Sequence, residues 1–241
     1  LFKKIAKQDP KNTDALYNHG IALNQLKKYQ DAITCFDKVL GIDPKYIAAV
    51  NNRGISLAEM GNTDDALEYY NKAIEINPKY AEAHYNKGVL YDRLLRHEDA
   101  LQSLDEALKC DSGKINAAFY RGVVLGKMKK HEEALNCFEN ICRKHPKHMH
   151  AFFQKGMALA ELGRHDKALA IFDKLLELDE GNVNVIYAMA RSNAAMDNAG
   201  RALYLLEQAI KKDRKTIKKW AMEDEFFDSL QDEPKFRKLI K

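Results

Sequence analysis

The chain has 241 residues, with 39 Lys and Arg against 35 Asp and Glu and a formal net charge of +4. Positive charge this sparse argues against a nucleic-acid partner, which needs a dense cationic face, and no apolar run approaches the roughly 18 residues of a membrane span. Twelve Gly and five Pro are too few for a loop-rich all-β chain, and four Cys make no disulfide framework, so a reducing, cytoplasmic compartment is the default.

A 34-residue period orders the sequence. Pro10, Pro44, Pro78 and Pro146 share one lattice; so do Gly20, Gly54, Gly88, Gly122 and Gly156, and Ala32, Ala66, Ala100, Ala134, Ala168 and Ala202. Four residues after each alanine stands a large apolar residue: Phe36, Tyr70, Leu104, Phe138, Phe172, Leu206. In chain order, residues 1–12 come first, and LFKKIAKQ reads as one amphipathic helix carrying Phe2 and Ile5. Six repeats follow, at 13–46, 47–80, 81–114, 115–148, 149–182 and 183–216. The first repeat predicts a helix with Leu16, Gly20 and Leu23 on one stripe (repeat positions 4, 8 and 11, continuing to 15), a turn, and a second helix carrying Ala32 and Phe36. The second repeat places Met60-Gly61-Asn62 at the turn, and the third ends on Ser112 where proline stands elsewhere. The fourth repeats the stripe as Ala118, Gly122 and Leu125; the fifth turns at Leu162-Gly163-Arg164 and has Glu180 for proline; the sixth has Ala190 for glycine and Arg214 for proline. Proline at position 32 is expected to stop each second helix. Glycine inside a helix costs up to about 1 kcal/mol, so five of them at position 8 imply a neighbour too close for a Cβ. The remainder, 217–241, puts Trp220 at position 4 but Asp224 where glycine belongs.

A small residue at 8, Ala at 20, an aromatic at 24 and Pro at 32 resemble the tetratricopeptide repeat (TPR) pattern, as in "ALYNHGIAL" with "DAITCFDKVLGIDP". The resemblance covers 13–216 and implies an all-α fold, an α-α superhelix (TPR solenoid) of helix-turn-helix repeats. Residues 1–12 are then the second helix of a partial repeat, and 217–241 resemble the C-terminal helical cap of such chains. The cap would use Trp220, Phe226, Phe227, Leu230, Phe236, Leu239 and Ile240 to cover the last apolar face, with Pro234 opening its final helix. Any targeting segment would lie upstream of Leu1.

The resemblance implies a concave groove lined by repeat positions 2, 5, 6, 9 and 13, which binds extended peptides. Tyr17, Tyr85, Phe119, Phe153 and Tyr187 hold position 5; Asn18, Asn52, Asn86, Tyr120 and Gln154 hold position 6; Met157 stands at position 9. Asparagine is a poor helix former, and an amide ladder can hold a peptide backbone. The aromatics and Met157 offer flat apolar surface for side chains, weighted toward repeats 4–6. Position 2 lacks lysine (Asp14, Ala48, Glu82, Asn116, His150, Asn184), which disfavours the two-carboxylate clamp of chaperone-binding relatives. The cations at position 7 (Arg53, Lys87, Arg121, Lys155) are expected to lay their stems on apolar surface with heads in water.

Chemistry is scarce. The sequence has no phosphate loop, G-x-S-x-G, H-E-x-x-H or C-x-x-C, so neither an enzyme nor a cofactor is expected. Cys142, His145, His148 and His150 have metal-like spacing, but Cys142 falls on a core position and the histidines span a turn, so no metal is assigned. The basic run Lys211–Lys219 is offset by the acidic residues from Glu223 to Glu233 and reads as a solvated turn. The expected function is a non-catalytic interaction scaffold binding a peptide or partner segment. The alternatives are a module that self-associates through its open N-terminal repeat face, or the regulatory or targeting region of a larger protein.

Overall fold

The computed structural model describes residues 11–241. The helix expected over 1–8, and with it the open face invoked for self-association, lies outside them. Among the described residues every regular element is helical. First helices begin every 34 residues: α1 (Thr13–Gln25), α3 (Ile47–Glu59), α5 (Ala81–Arg93), α7 (Ile115–Lys127), α9 (Met149–Glu161) and α11 (Val183–Ala195). Second helices keep the same step: α2 (Tyr29–Ile42), α4 (Thr63–Ile76), α6 (His97–Cys110), α8 (His131–Lys144), α10 (His165–Leu178) and α12 (Ala199–Lys212). The chain ends with α13 (Arg214–Glu223), a 3-10 turn (Glu225–Leu230) and α14 (Pro234–Ile240), with Pro234 in its first turn, where no N–H is missed. The chain forms two compact units, one ending at Val124 and one running from Leu125 to Lys241.

The glycines at position 8 answer to the bulk at position 24. In the N-terminal unit a Cβ on Gly20 would stand 2.5 Å from Phe36 Cε1, one on Gly54 2.8 Å from Tyr70 Cε1, and one on Gly88 2.8 Å from Leu104 Cγ. In the C-terminal unit a Cβ on Gly156 would stand 2.5 Å from Phe172 Cε1. Phe36, Leu104 and Phe172 are fully buried and Tyr70 nearly so, which is why the period pairs a missing side chain with a large one. At the end of the C-terminal unit, Ile217, Phe227, Leu230 and Phe236 join the core of Phe172 and Leu206. Trp220 departs from the capping role: it is 40% exposed.

Three local features correct the sequence reading. Position 15 does not continue the core stripe. It lies in the turn between helices with positive φ in every repeat: Lys27, Gly61, Leu95, Lys129, Gly163 and Asp197, at 58° to 85°. Proline is also not what stops the second helices. Cys110, Leu178 and Lys212 end α6, α10 and α12 at the same repeat position as the proline-bearing repeats. Except after α8, which is followed by His145, the residue one past the helix is an Asp or Asn whose side chain takes up a downstream N–H. Asp43 accepts from Lys45 N at 2.9 Å, Asn77 from Lys79 N at 2.9 Å, Asp111 from Gly113 N at 2.9 Å and Asp179 from Gly181 N at 3.1 Å. Asp213 accepts from Thr216 N at 3.1 Å and so caps α13. Finally, the cations at position 7 do not end in water. Arg53 Nε meets Asp37 at 2.6 Å, Lys87 Nζ donates to Asn71 Oδ1 at 2.8 Å, Arg121 Nε meets Asp105 at 2.6 Å and Lys155 Nζ meets Glu139 at 3.1 Å. Each links a first helix to the second helix of the preceding repeat, at a gain of about 0–1 kcal/mol for an exposed pair.

Candidate functional site

In the N-terminal unit each position-6 asparagine commits an Nδ2 donor to a partner within the chain. Asn18 donates to Asp14 O at 2.8 Å, Asn52 to Ala48 O at 2.8 Å and to the Tyr17 hydroxyl at 3.1 Å, and Asn86 to Asn51 Oδ1 at 3.0 Å. Such bonds fix the amide plane and orient Oδ1 as an acceptor. Burial raises the Tyr17 phenol, and the bond from Asn52 opposes it. Tyr85 and Asn86 share a small cleft of about 220 Å³ with Ile55, Glu59, Val89 and Arg93, where Arg93 Nη1 pairs with Glu59 at 2.6 Å. Tyr120 packs its ring edge-on to Tyr85 at 6.2 Å and donates its hydroxyl to Asp92 Oδ2 at 3.0 Å. Asp92 is buried, and His97 Nδ1 lies 3.0 Å from its other oxygen. Burial, the bond to Asp92 and the charge of that carboxylate push the Tyr120 phenol up to about 12. Tyr17, Asn18, Asn52, Phe119 and Tyr120 do not line that cleft.

The C-terminal unit holds the larger cleft, about 560 Å³. From the sequence-derived residues it gathers Phe153, Met157 and Tyr187; Gln154, half-buried on the same helix as Phe153, does not line it. Helices α9 and α11 supply one wall, with repeat positions 5 and 9 side by side. The closing segment supplies the other with Trp220, Glu223, Asp224, Glu225 and Phe226. Phe153 is braced on Phe172, ring centroids 6.0 Å apart, and Tyr187 on Trp220 at 5.5 Å and Phe227 at 5.8 Å.

Arg191 ties the two walls together. Its Nη2 donates to Glu161 Oε1 at 2.9 Å, its Nε lies 2.7 Å from Asp224 Oδ2, and its guanidinium covers the Phe226 ring at 4.3 Å. The Tyr187 hydroxyl donates to Asp224 Oδ2 at 2.8 Å, and Asp224 Oδ1 accepts from Phe226 N at 3.2 Å, capping the 3-10 turn. Burial, then the bond and charge of Asp224, hold the Tyr187 phenol protonated far above its ordinary range. His165 stands edge-on to Phe226 at 6.0 Å, and burial lowers its pKa. The cleft is therefore a rigid aromatic surface, polar at one edge.

Arg191, Glu161, Asp224, Trp220 and Phe226 were not among the expected site residues. A signal for two of them stood in the sequence. Arg191 interrupts an aliphatic run at position 9 (Ile21, Ile55, Val89, Val123, Met157), and Asp224 occupies a glycine position. Among the described residues no three His, Cys, Asp or Glu side chains gather as metal ligands. His148 instead accepts from Ala151 N at 3.1 Å through Nδ1, capping α9. No helix among the described residues is long and apolar enough to cross a membrane.

Family models described as tetratricopeptide repeat match residues 12–79, residues 51–115 with 121–183, and residues 159–222. No curated protein matches the chain. Among solved structures, YrrB, described as a TPR protein with an unusual peptide-binding site, is 26% identical at a TM-score of 0.64, with 76% of this chain and 94% of YrrB covered. Pseudomonas aeruginosa PilF is 20% identical at a TM-score of 0.74, covering 88% of this chain and 97% of its own. A chain of the APC/C hetero-tetramer Cut9–Hcn1 is 18% identical at 0.76, over all of this chain and 45% of that one. The last two are likenesses of fold.

Proposed function

Because the chain belongs to the tetratricopeptide repeat family, whose repeats serve as protein–protein interaction scaffolds, we propose that it binds an extended segment of a partner protein without catalysing any reaction on it. In this reading residues 13–216 are six repeats and 217–241 close them. The observation that carries it is the open cleft of the C-terminal unit, where Phe153, Met157 and Trp220 offer partly exposed apolar and aromatic surface, with the buried Tyr187 behind them. Exposed aromatic surface gathered at one spot marks an interaction site. YrrB, over a quarter identical, adds support through its own peptide-binding site.

The ligand's apolar side chain would seat on Phe153 and Met157. In the N-terminal unit, Asn18, Asn52 and Asn86, each with at least one Nδ2 hydrogen already bonded, would accept main-chain N–H groups through Oδ1, with Tyr17, Tyr85, Phe119 and Tyr120 beside them; Gln154 would do the same in the C-terminal unit. The test is selection of a binding peptide from a random library, then its affinity for Phe153→Ala and Met157→Ala. A tenfold or greater loss in each, about 1.4 kcal/mol, with unchanged helical circular dichroism, is expected. Unchanged affinity in both would move the interface off this cleft.

A further inference from the structure

We propose that the cleft of the C-terminal unit selects a segment carrying a cationic side chain, Lys or Arg, next to its apolar one. This rests on the peptide-binding reading above and names the chemistry of the peptide. Four carboxylates line the cleft (Glu161, Glu223, Asp224, Glu225) against two cations, Lys129 and Arg191. Arg191 is already committed to Glu161 and Asp224. Glu223 and Glu225 are exposed at the mouth, and neither has an ion pair among the described residues. Among the cleft's lining residues, Lys129 is the one uncommitted cation that stands against them.

The aromatic wall suits a cation as well. Trp220 is partly exposed in the same cleft, and indole is the strongest cation–π partner among side chains. Phe226 carries the Arg191 guanidinium over its ring at 4.3 Å, so this wall already accepts a cation over a ring. The chain as a whole is net positive at +4, so an acidic excess here is local and opposes the global field. An acidic segment would meet two unpaired carboxylates.

Trp220 is the only tryptophan, so its emission reports on the cleft directly. Three blocked peptides of equal length serve as probes, alternating Leu with Arg, Gln or Glu, titrated by Trp220 fluorescence and by calorimetry. The Arg peptide should bind at least fivefold tighter than the Gln peptide, and the Glu peptide more weakly than either. Glu223→Gln with Glu225→Gln should abolish that preference, and Lys129→Gln should enlarge it. Raising salt from about 0.05 to about 0.5 M should shrink the preference, because mouth charges are screened. Equal affinity for the three peptides, or tightest binding of the Glu peptide, overturns the cationic selection while the peptide-binding reading stands. Failure of all three to bind by either method overturns both.

Discussion

Replacing Gly156 by Ala tests the packing logic against helix propensity, because the two oppose each other. Propensity alone favours alanine by up to about 1 kcal/mol in a helix interior. The new Cβ, however, would stand 2.5 Å from Phe172 Cε1 and 2.9 Å from Cζ. Phe172 is fully buried and cannot swing aside without opening the core. Overpacking of this kind costs about 1–3 kcal/mol, so after the opposing propensity gain a net loss of up to about 2 kcal/mol, centred near 1, is expected, read in urea denaturation followed by circular dichroism. Gly126→Ala, in α7, is the control, since nothing lies within 4 Å of its Cβ; it should gain up to about 1 kcal/mol. The sixth repeat also contains the compensated arrangement, Ala190 at position 8 with Leu206 at position 24, both fully buried. Gly156→Ala with Phe172→Leu should therefore lose less than the sum of its two single changes. A Gly156→Ala protein that gains as much stability as Gly126→Ala, or a double variant no better than additive, would refute the pairing of positions 8 and 24.

Leu95→Gly should raise stability by about 1 kcal/mol in the same assay, because Leu95 holds a left-handed φ of 59° while 77% exposed, so strain is relieved and little burial is lost; no gain would mean the turn costs nothing. Stability should also fall with alkali. Tyr120 titrates up to about 12 in the folded chain against about 10 unfolded, so its contribution is whole below about pH 10 and is lost as pH rises toward about 12. Tyr120→Phe should flatten that decline, as measured by denaturation at a series of pH values.

Much of the fold was legible because it repeats. A glycine and a bulky residue recurring sixteen positions apart told of two helices in contact, and Gly20 with Phe36 or Gly156 with Phe172 meet for that reason. The helix stop was less legible. Proline is conspicuous, yet the Asp or Asn at position 31 was equally periodic and passed unread: Asp43, Asn77, Asp111, Asp179, Asp213. The left-handed turn could not be read from composition, since glycine marks it in two repeats and Lys, Leu or Asp fill it elsewhere. At the candidate site, α9 and α11 obeyed the period, so Phe153, Met157 and Tyr187 could be placed. The closing segment breaks the period after Trp220. Only folding brings Asp224, Glu225 and Phe226 opposite them. The pairing of the position-7 cations is hidden in the sequence because their partners sit on another helix, sixteen residues back.

Most of the contacts described above span one of two short arcs of chain. Gly20 meets Phe36, Arg53 meets Asp37 and Arg121 meets Asp105 across sixteen residues. Asn52 meets Tyr17, Arg93 meets Glu59 and Arg191 meets Glu161 across 30 to 35. Closing an arc twice as long costs only about 0.6 kcal/mol more in chain entropy. Joining a helix to the next but one along the chain is thus barely more expensive than joining it to its immediate neighbour, whether or not a repeat boundary lies between. Short arcs of this kind give low contact order and rapid folding, and a chain so built can begin to order at any helix pair and extend from there.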